Sequence, residues 1–355
     1  MKIRFHSALL LGSAGAFLLA SGPAWTAAEP YVHTSHEPAF AARDRMFVEG
    51  NNPSIEKLIG QPTDLWERIR LGFALPDLDR KLVAQHVSWY AARPELVQAI
   101  AVRARRYLHF IVDEVERRGL PTELALLPFI ESGFNPMAMS PAQASGLWQF
   151  IPETGTKYKL AQTALYDGRR DVVASTAAAL DYLEFLYTYN NRDWPRALAS
   201  YNWGEMAVAR AVDRNRTRGL PDAYDSLTMP DETRNYVPRL LAIKALVLDP
   251  AAYGLQLPEI PNEPVFGLVR VKEDLELRLA AQFAGMSLEE FLTLNPAYNS
   301  KHAPGATGPG LVIPLEKSEL FRTNLERHRE ASAAARPLGP AAPRKQHRGT
   351  PVTRF

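Results

Sequence analysis

Glu131 is the residue whose neighbours best suit it for acid–base chemistry. On a helix, residues three and four apart share a face, and Leu124, Leu127 and Glu131 fall on one such face. A carboxyl at the end of an apolar stripe loses water, and desolvation disfavours its charged form. Its pKa should therefore rise, and a carboxylic acid that keeps its proton near neutral pH can protonate a glycosidic oxygen. The plain alternative is a helix-end glutamate that turns to water or pairs with an arginine, and this segment alone leaves both open. Three other segments carry sugar-binding residue types. Ala144 to Phe150 combines a flexible glycine (Gly146), the rings of Trp148 and Phe150, and the amide of Gln149. Ser200-Tyr201-Asn202-Trp203-Gly204 is a polar–aromatic knot, and Glu232 to Pro238 places Tyr236 on an amphipathic helix. Taken singly, each of these is as readily core, because aromatic residues are usually buried.

Helices must position these groups. From about Ile55 to Leu248 the apolar spacing is helical. Leu65, Ile69 and Phe73 recur four apart. Pro94 suits the first turn of a long helix running to about Arg118, which Gly119 can end. After Pro121, Thr122-Glu123 opens the next helix, and Asp171 is a good N-cap for a helix over 172–189. Further helices are expected near 195–201, 204–214 and 231–248. Beyond Asp249-Pro250 the character changes. The proline-rich stretch 257–264 reads as a linker, 265–271 and 311–314 as short strands, and 275–285 and 287–294 as short helices. Together these make a β-α-α-β unit.

Composition bounds the function. The 355 residues suit about two domains. Hydrophobic residues at 46% and charged residues at 23% fit a folded chain. The net charge of +2 is too small for a typical nucleic-acid binder, so none is expected as a partner. Cysteine is absent, which excludes disulfides, thiolate metal sites and a lipoprotein-type lipid anchor on this sequence. The eight histidines show no ligand-like spacing near the motifs, so no metal or other cofactor is expected. Lys2 and Arg4, the apolar stretch Ala8–Ala20 and Thr26-Ala27-Ala28 have the layout of a secretory signal peptide. An uncleaved membrane anchor is the alternative, although the apolar stretch is short for a span. The stretch from Ala331 to Phe355 holds Arg336, Arg344, Lys345, Arg348 and Arg354 and no acid. It reads as a disordered basic tail, free to touch anionic wall polymer or lipid peripherally.

The order of the motifs resembles the lytic transglycosylases of the lysozyme-like superfamily. Glu131-Ser132 matches that family's Glu-Ser motif, Gly146-Leu147-Trp148-Gln149 its Gly-Leu-Trp-Gln, Ser200-Tyr201-Asn202 its Ala-Tyr-Asn, and Glu232 to Pro238 its Glu-Thr-x-x-Tyr-Val-Pro. Tyr166 to Ser175 is similar too, and the resemblance spans about residues 60–250. It implies a mainly α fold with a goose-type or soluble lytic transglycosylase-like catalytic domain. It also implies cleavage between N-acetylmuramic acid and N-acetylglucosamine in peptidoglycan. Glu131 would first donate a proton and then withdraw one from the muramic acid C6 hydroxyl, closing a 1,6-anhydro ring. Ser140, Gln149 and Trp148 would contact the sugar, Tyr201 and Tyr236 would orient the acetamide or the acid, and Asn202 would support its loop. Ser140-Pro141 reads equally as a simple turn. Two positions depart from the family pattern: Met206 stands where it carries a second glycine and Trp203 where it carries a small residue. Both bear on the width of a groove beside Tyr201.

The β-α-α-β unit resembles a divergent LysM module, a fold that binds N-acetylglucosamine polymers, with Lys272-Glu273-Asp274-Leu275 in place of the usual Gly-Asp-Thr-Leu. A structural appendage packed on the catalytic domain is the other reading. The organisation expected is a signal peptide over 1–28, a helical extension over 29–93, a lysozyme-like domain over 94–250, a linker over 251–264, the LysM-like module over 265–315, and a helical end with the basic tail over 316–355. The protein is then periplasmic and acts on glycan strands. A hydrolase of peptidoglycan or chitin that uses water, and a non-catalytic wall-binding protein, stay open as alternatives.

Overall fold

A computed structural model describes residues 62–78, 80–305 and 308–334. The expected signal peptide and the tail beyond Ala334 lie outside these residues.

The first part is all helix: α1 (Leu65–Leu71), α2 (Arg80–Ala91), α3 (Pro94–Ala104), α4 (Leu108–Arg117), a 3-10 turn (Thr122–Leu126) leading into α5 (Leu127–Glu131), α6 (Pro152–Lys157), α7 (Val172–Tyr189), α8 (Trp194–Trp203), α9 (Glu205–Thr217) and α10 (Asp231–Leu248). Side-chain caps set several starts. Asp171 accepts from the backbone N–H groups of Val173 and Ala174, and Asp193 from that of Arg196. Helix α7 is buried on nearly every side. Gly119 ends α4 in the left-handed region at φ 65°, where its N–H and that of Leu120 close onto the carbonyls of Glu116 and Val115.

The long helix expected from Pro94 to Arg118 is broken at Arg105–Tyr107. Its apolar stripe, Tyr107 included, runs on across the break, but His109 and Phe110 lie off that stripe and are buried too. At the break the Tyr107 hydroxyl donates to the Thr293 carbonyl at 3.2 Å, and just beyond it Phe110 packs on Phe266 with ring centroids 5.6 Å apart. Both partners belong to the C-terminal module, so a tertiary contact overrides a local helical preference.

That module comprises β1 (Phe266–Val269), β2 (Leu275–Glu276), α11 (Leu277–Phe283), α12 (Leu288–Leu294), β3 (His302–Ala303), β4 (Leu311–Pro314) and α13 (Ser318–Ala334). Strands β1 and β4 pair antiparallel, Leu268 opposite Val312 and Val269 opposite Leu311. Alternate residues of a strand face opposite sides, and here both sides are covered. Phe266, Leu268 and Val312 join the core of the helical domain, whereas Val269, Leu311 and Ile313 join the module's own core with Phe283 and Phe291. Helix α13 adds Phe321 and Leu325 to the latter and runs through Ala334, into the stretch read from sequence as tail.

Candidate active site

Glu131 ends α5, a five-residue helix whose earlier residues Leu127, Pro128 and Phe129 are buried. The chain then turns through two left-handed residues, Gly133 at φ 57° and Phe134 at φ 54°. The Phe134 ring is fully buried, and Arg103 donates to the Gly133 carbonyl at 2.7 Å. Glu131 is thus left half-buried where the helix stops. Its one hydrogen bond among the described residues comes from the Tyr236 hydroxyl, 2.5 Å from Oε1. Burial pushes the Glu131 carboxyl up to about 7, with the nearby Glu232 charge assisting; the Tyr236 hydrogen bond and the Arg239 guanidinium pull the other way. The group is therefore substantially protonated at neutral pH, as the apolar stripe suggests.

Tyr236 lies on α10, two residues before an internal proline. Pro238 has no N–H for the carbonyl of Arg234. The Tyr224 hydroxyl supplies the missing donor, at 3.0 Å from that carbonyl and 2.6 Å from the carbonyl of Thr233. Burial, with the adjacent Glu131 charge, holds both Tyr236 and Tyr201 well above the usual phenol range, so both act as neutral donors. The Tyr201 hydroxyl donates to the Trp148 carbonyl at 2.8 Å.

The segment 138–150 forms a wall beside the acid. Ser132, beside the acid, donates from Oγ to the Leu147 carbonyl at 2.9 Å and so joins the end of α5 to this segment. Gly146 sits at φ 87°, and a Cβ there would lie 2.0 Å from the Arg169 carbonyl oxygen, so only glycine fits. Gln143 and Gln149 are also left-handed, at φ 59° and 50°, a conformation that costs a non-glycine residue on the order of 1–3 kcal/mol and persists only when the surroundings enforce it. Arg169 provides that enforcement. It donates to the carbonyls of Gln143 at 2.7 Å and Phe150 at 3.3 Å while Asp167 takes its Nε and Nη2 at 3.0 and 2.8 Å.

The residues singled out from the sequence fare differently. Glu131, Tyr236 and Tyr201 converge. Gln149 is half-buried and commits its amide donor to the carbonyls of Gly146 (2.8 Å) and Ala138 (3.3 Å), which leaves its amide oxygen to offer a ligand. Ser140 Oγ accepts from the Ala144 N–H at 3.0 Å, which is the turn reading of Ser140-Pro141. Asn202 accepts from Thr233 at 2.8 Å and ties α8 to α10. Trp148 corrects the expectation of a sugar contact: its ring is wholly buried and its Nε1 donates to Thr176 at 2.9 Å. Its apolar area is worth more in the core than on a groove wall. Met206 is exposed on the first turn of α9, and the tight turn beside Tyr201 is made by Gly204 at φ 91°.

Ser132, Arg169 and Arg239 were given no role from the sequence. Arg239 follows Tyr236 by three positions and so shares its helix face, a signal that was available. Nothing local marks Arg169 as the clamp on a segment some twenty residues earlier. The carboxylate Glu205 accepts from Tyr182 at 2.9 Å and pairs with Lys157 at 3.2 Å, whereas Glu232 is the carboxylate whose charge acts on Glu131.

Fold and site together define a lysozyme-like helical domain with a half-buried carboxylic acid, followed by a LysM-like module. Residues 109–221 match the family described as "Transglycosylase SLT domain", and residues 265–330 match "Lytic transglycosylase MltD, LysM-like domain". The chain carries these two domains in that order. It is 36% identical over 265 residues to membrane-bound lytic murein transglycosylase D of Escherichia coli (strain K12), covering 74% of this chain and 58% of that protein. It is 30% identical over 216 residues to membrane-bound lytic murein transglycosylase C of Glaesserella parasuis serovar 5 (strain SH0165), covering 53% of this chain and 59% of that protein. The chain therefore spans less than two thirds of the length of these relatives. Tyr236 lies beyond the matched SLT residues, although it holds the acid that lies within them.

Proposed function

We propose that this protein is a peptidoglycan lytic transglycosylase in which Glu131 is the single acid and then base. The observation that carries the reading is the Glu131–Tyr236 pair: a half-buried carboxyl pushed up to about 7 by burial, within the residues that match a transglycosylase SLT domain. Tyr236 donates to Oε1, which leaves Oε2 to carry the proton. That proton passes to the oxygen linking N-acetylmuramic acid to N-acetylglucosamine as the C1–O bond breaks. The resulting carboxylate is stabilised where it stands by the Tyr236 hydroxyl and the Arg239 charge. It takes the proton of the muramic acid C6 hydroxyl while that oxygen bonds to C1. The product is a 1,6-anhydro end, no water is consumed, and Glu131 regains its proton.

Around this step, Gln149 offers its amide oxygen to the sugar and Tyr201 its aromatic edge near the acid, while Ser140, Asn202 and Trp148 hold the walls. The substrate is the glycan strand of the cell wall, reached by export through the N-terminal segment to the periplasm.

The test is mass spectrometry of fragments released from purified sacculi by the wild-type protein and by Glu131→Gln. Anhydro-muropeptides from wild type alone are expected. Reducing ends would make it a hydrolase. No fragments from a folded wild-type sample would favour a wall-binding protein.

A further inference from the structure

The sheet β1–β4 is buried on both faces, so the C-terminal module is wedged against the helical domain. One contact between the two parts runs through the stretch 165–170. The Asp167 N–H donates to the Ala297 carbonyl at 2.8 Å, and the Asn299 N–H donates to the Leu165 carbonyl at 2.9 Å. The Tyr166 and Tyr298 rings meet edge to face at 5.2 Å. Arg170 Nη2 donates to Asn299 Oδ1 at 2.5 Å, while Nη1 of the same guanidinium meets Met137 Sδ at 3.8 Å and Nε stands 3.8 Å from Asp167 Oδ2.

This stretch also holds the catalytic wall. Asp167 fixes Arg169, Arg169 holds the carbonyls of Gln143 and Phe150, and the Arg169 carbonyl packs on Gly146. The wall needs such support, because Gln143 and Gln149 are held in left-handed backbone. Met137, just past Glu131, is touched from the same side.

We propose that the LysM-like module is a brace for the active site, with Asn299, Arg170 and Asp167 as positioning residues that keep the 137–150 segment in its strained, productive shape. The module then contributes to turnover through these contacts, whatever glycan it also binds. The kinetic part of this inference rests on the transglycosylase reading; the structural part does not.

The experiment uses the full chain as wild type, Asn299→Ala and Asn299→Asp. Asn299 is exposed, so truncating its side chain leaves no core cavity. Hydrogen exchange is read at the amides of Ser140, Ser145, Gly146 and Gln149, and kcat and KM on sacculi are read alongside. Loss of a bond to a charged partner should speed exchange at these amides about tenfold and lower kcat about tenfold, with KM unchanged. Exchange in α7 should not move, and Asn299→Asp, which keeps the acceptor for Arg170, should restore both readouts. Unchanged exchange at the wall amides in Asn299→Ala overturns the brace. So does a change confined to KM, or faster exchange spread equally through α7. If wild type releases no fragments, the transglycosylase reading fails and the exchange data still decide the brace.

Discussion

Tyr236 and Glu131, 105 residues apart in sequence, meet through a 2.5 Å hydrogen bond from the phenol to Oε1. The tyrosine opposes the burial that raises the carboxyl. Tyr236→Phe should therefore move the alkaline limb of the activity profile upward by about one pH unit, since a bond to a charged group is worth about 1.5–3 kcal/mol at most. It should also lower kcat at the optimum, about 10-fold or more, because the carboxylate formed after proton donation loses its donor. A pH–rate series on sacculi reads both, and an unshifted limb would detach Tyr236 from the acid's titration.

Glu131 sits near pKa 7 in the fold against an ordinary 4.5 when unfolded. The folded state thus holds the proton more tightly than the unfolded one. That contribution to stability is full below about pH 4.5 and is lost as pH rises through about 7. Glu131→Gln carries no charge to desolvate and can still accept from Tyr236. It should be more stable than wild type at pH 8.5, by at most about 3 kcal/mol, and should lose that advantage near pH 4. Thermal midpoints at the two pH values test the sign.

Gly146→Ala should damage the wall. Its Cβ would meet the Arg169 carbonyl oxygen at 2.0 Å, in a backbone region that alanine already disfavours. A loss of at least about 2 kcal/mol in urea unfolding is expected, since the neighbouring atom is backbone and cannot swing aside. Catalysis should fall with it, because the segment is tied through Leu147 to Ser132 beside the acid.

Trp148→Phe separates the two roles open to that residue. The ring is buried and its Nε1 donates to Thr176. Stability should fall by about 1–2 kcal/mol, from a lost buried hydrogen bond and some packing, while KM for sacculi stays the same. A raised KM at undiminished stability would restore Trp148 to the sugar.

Replacing Arg169 by Met should leave the buried Asp167 carboxylate with only the more distant Arg170 guanidinium, 3.8 Å away, and cost about 3 kcal/mol, the lower end for breaking one side of a buried pair. Arg169→Lys should recover little, because one ammonium cannot copy a fork that binds Asp167, Gln143 and Phe150 together. Chemical denaturation of both variants tests the ranking.

The sequence by itself determined the helices whose signals are local. The Asp171 cap and the apolar periods placed α7 and α10 to the residue, and Gly119 marked the end of α4. The strand 311–314 was legible from its apolar run, and that run is continuous because both faces of the sheet are covered. The apolar stripe ending in Glu131 also foretold a carboxyl raised by desolvation. Only the tertiary structure decided what depends on distant partners. It broke the helix at Arg105–Tyr107 to reach the module, buried Trp148 as core, turned Ser140 and Asn202 to holding backbone and helix, and made Arg169 a clamp. Capping and periodicity act over a few residues and leave a trace in composition. A hydrogen bond across 105 residues leaves none, because any tyrosine looks the same until the chain brings it to its acid.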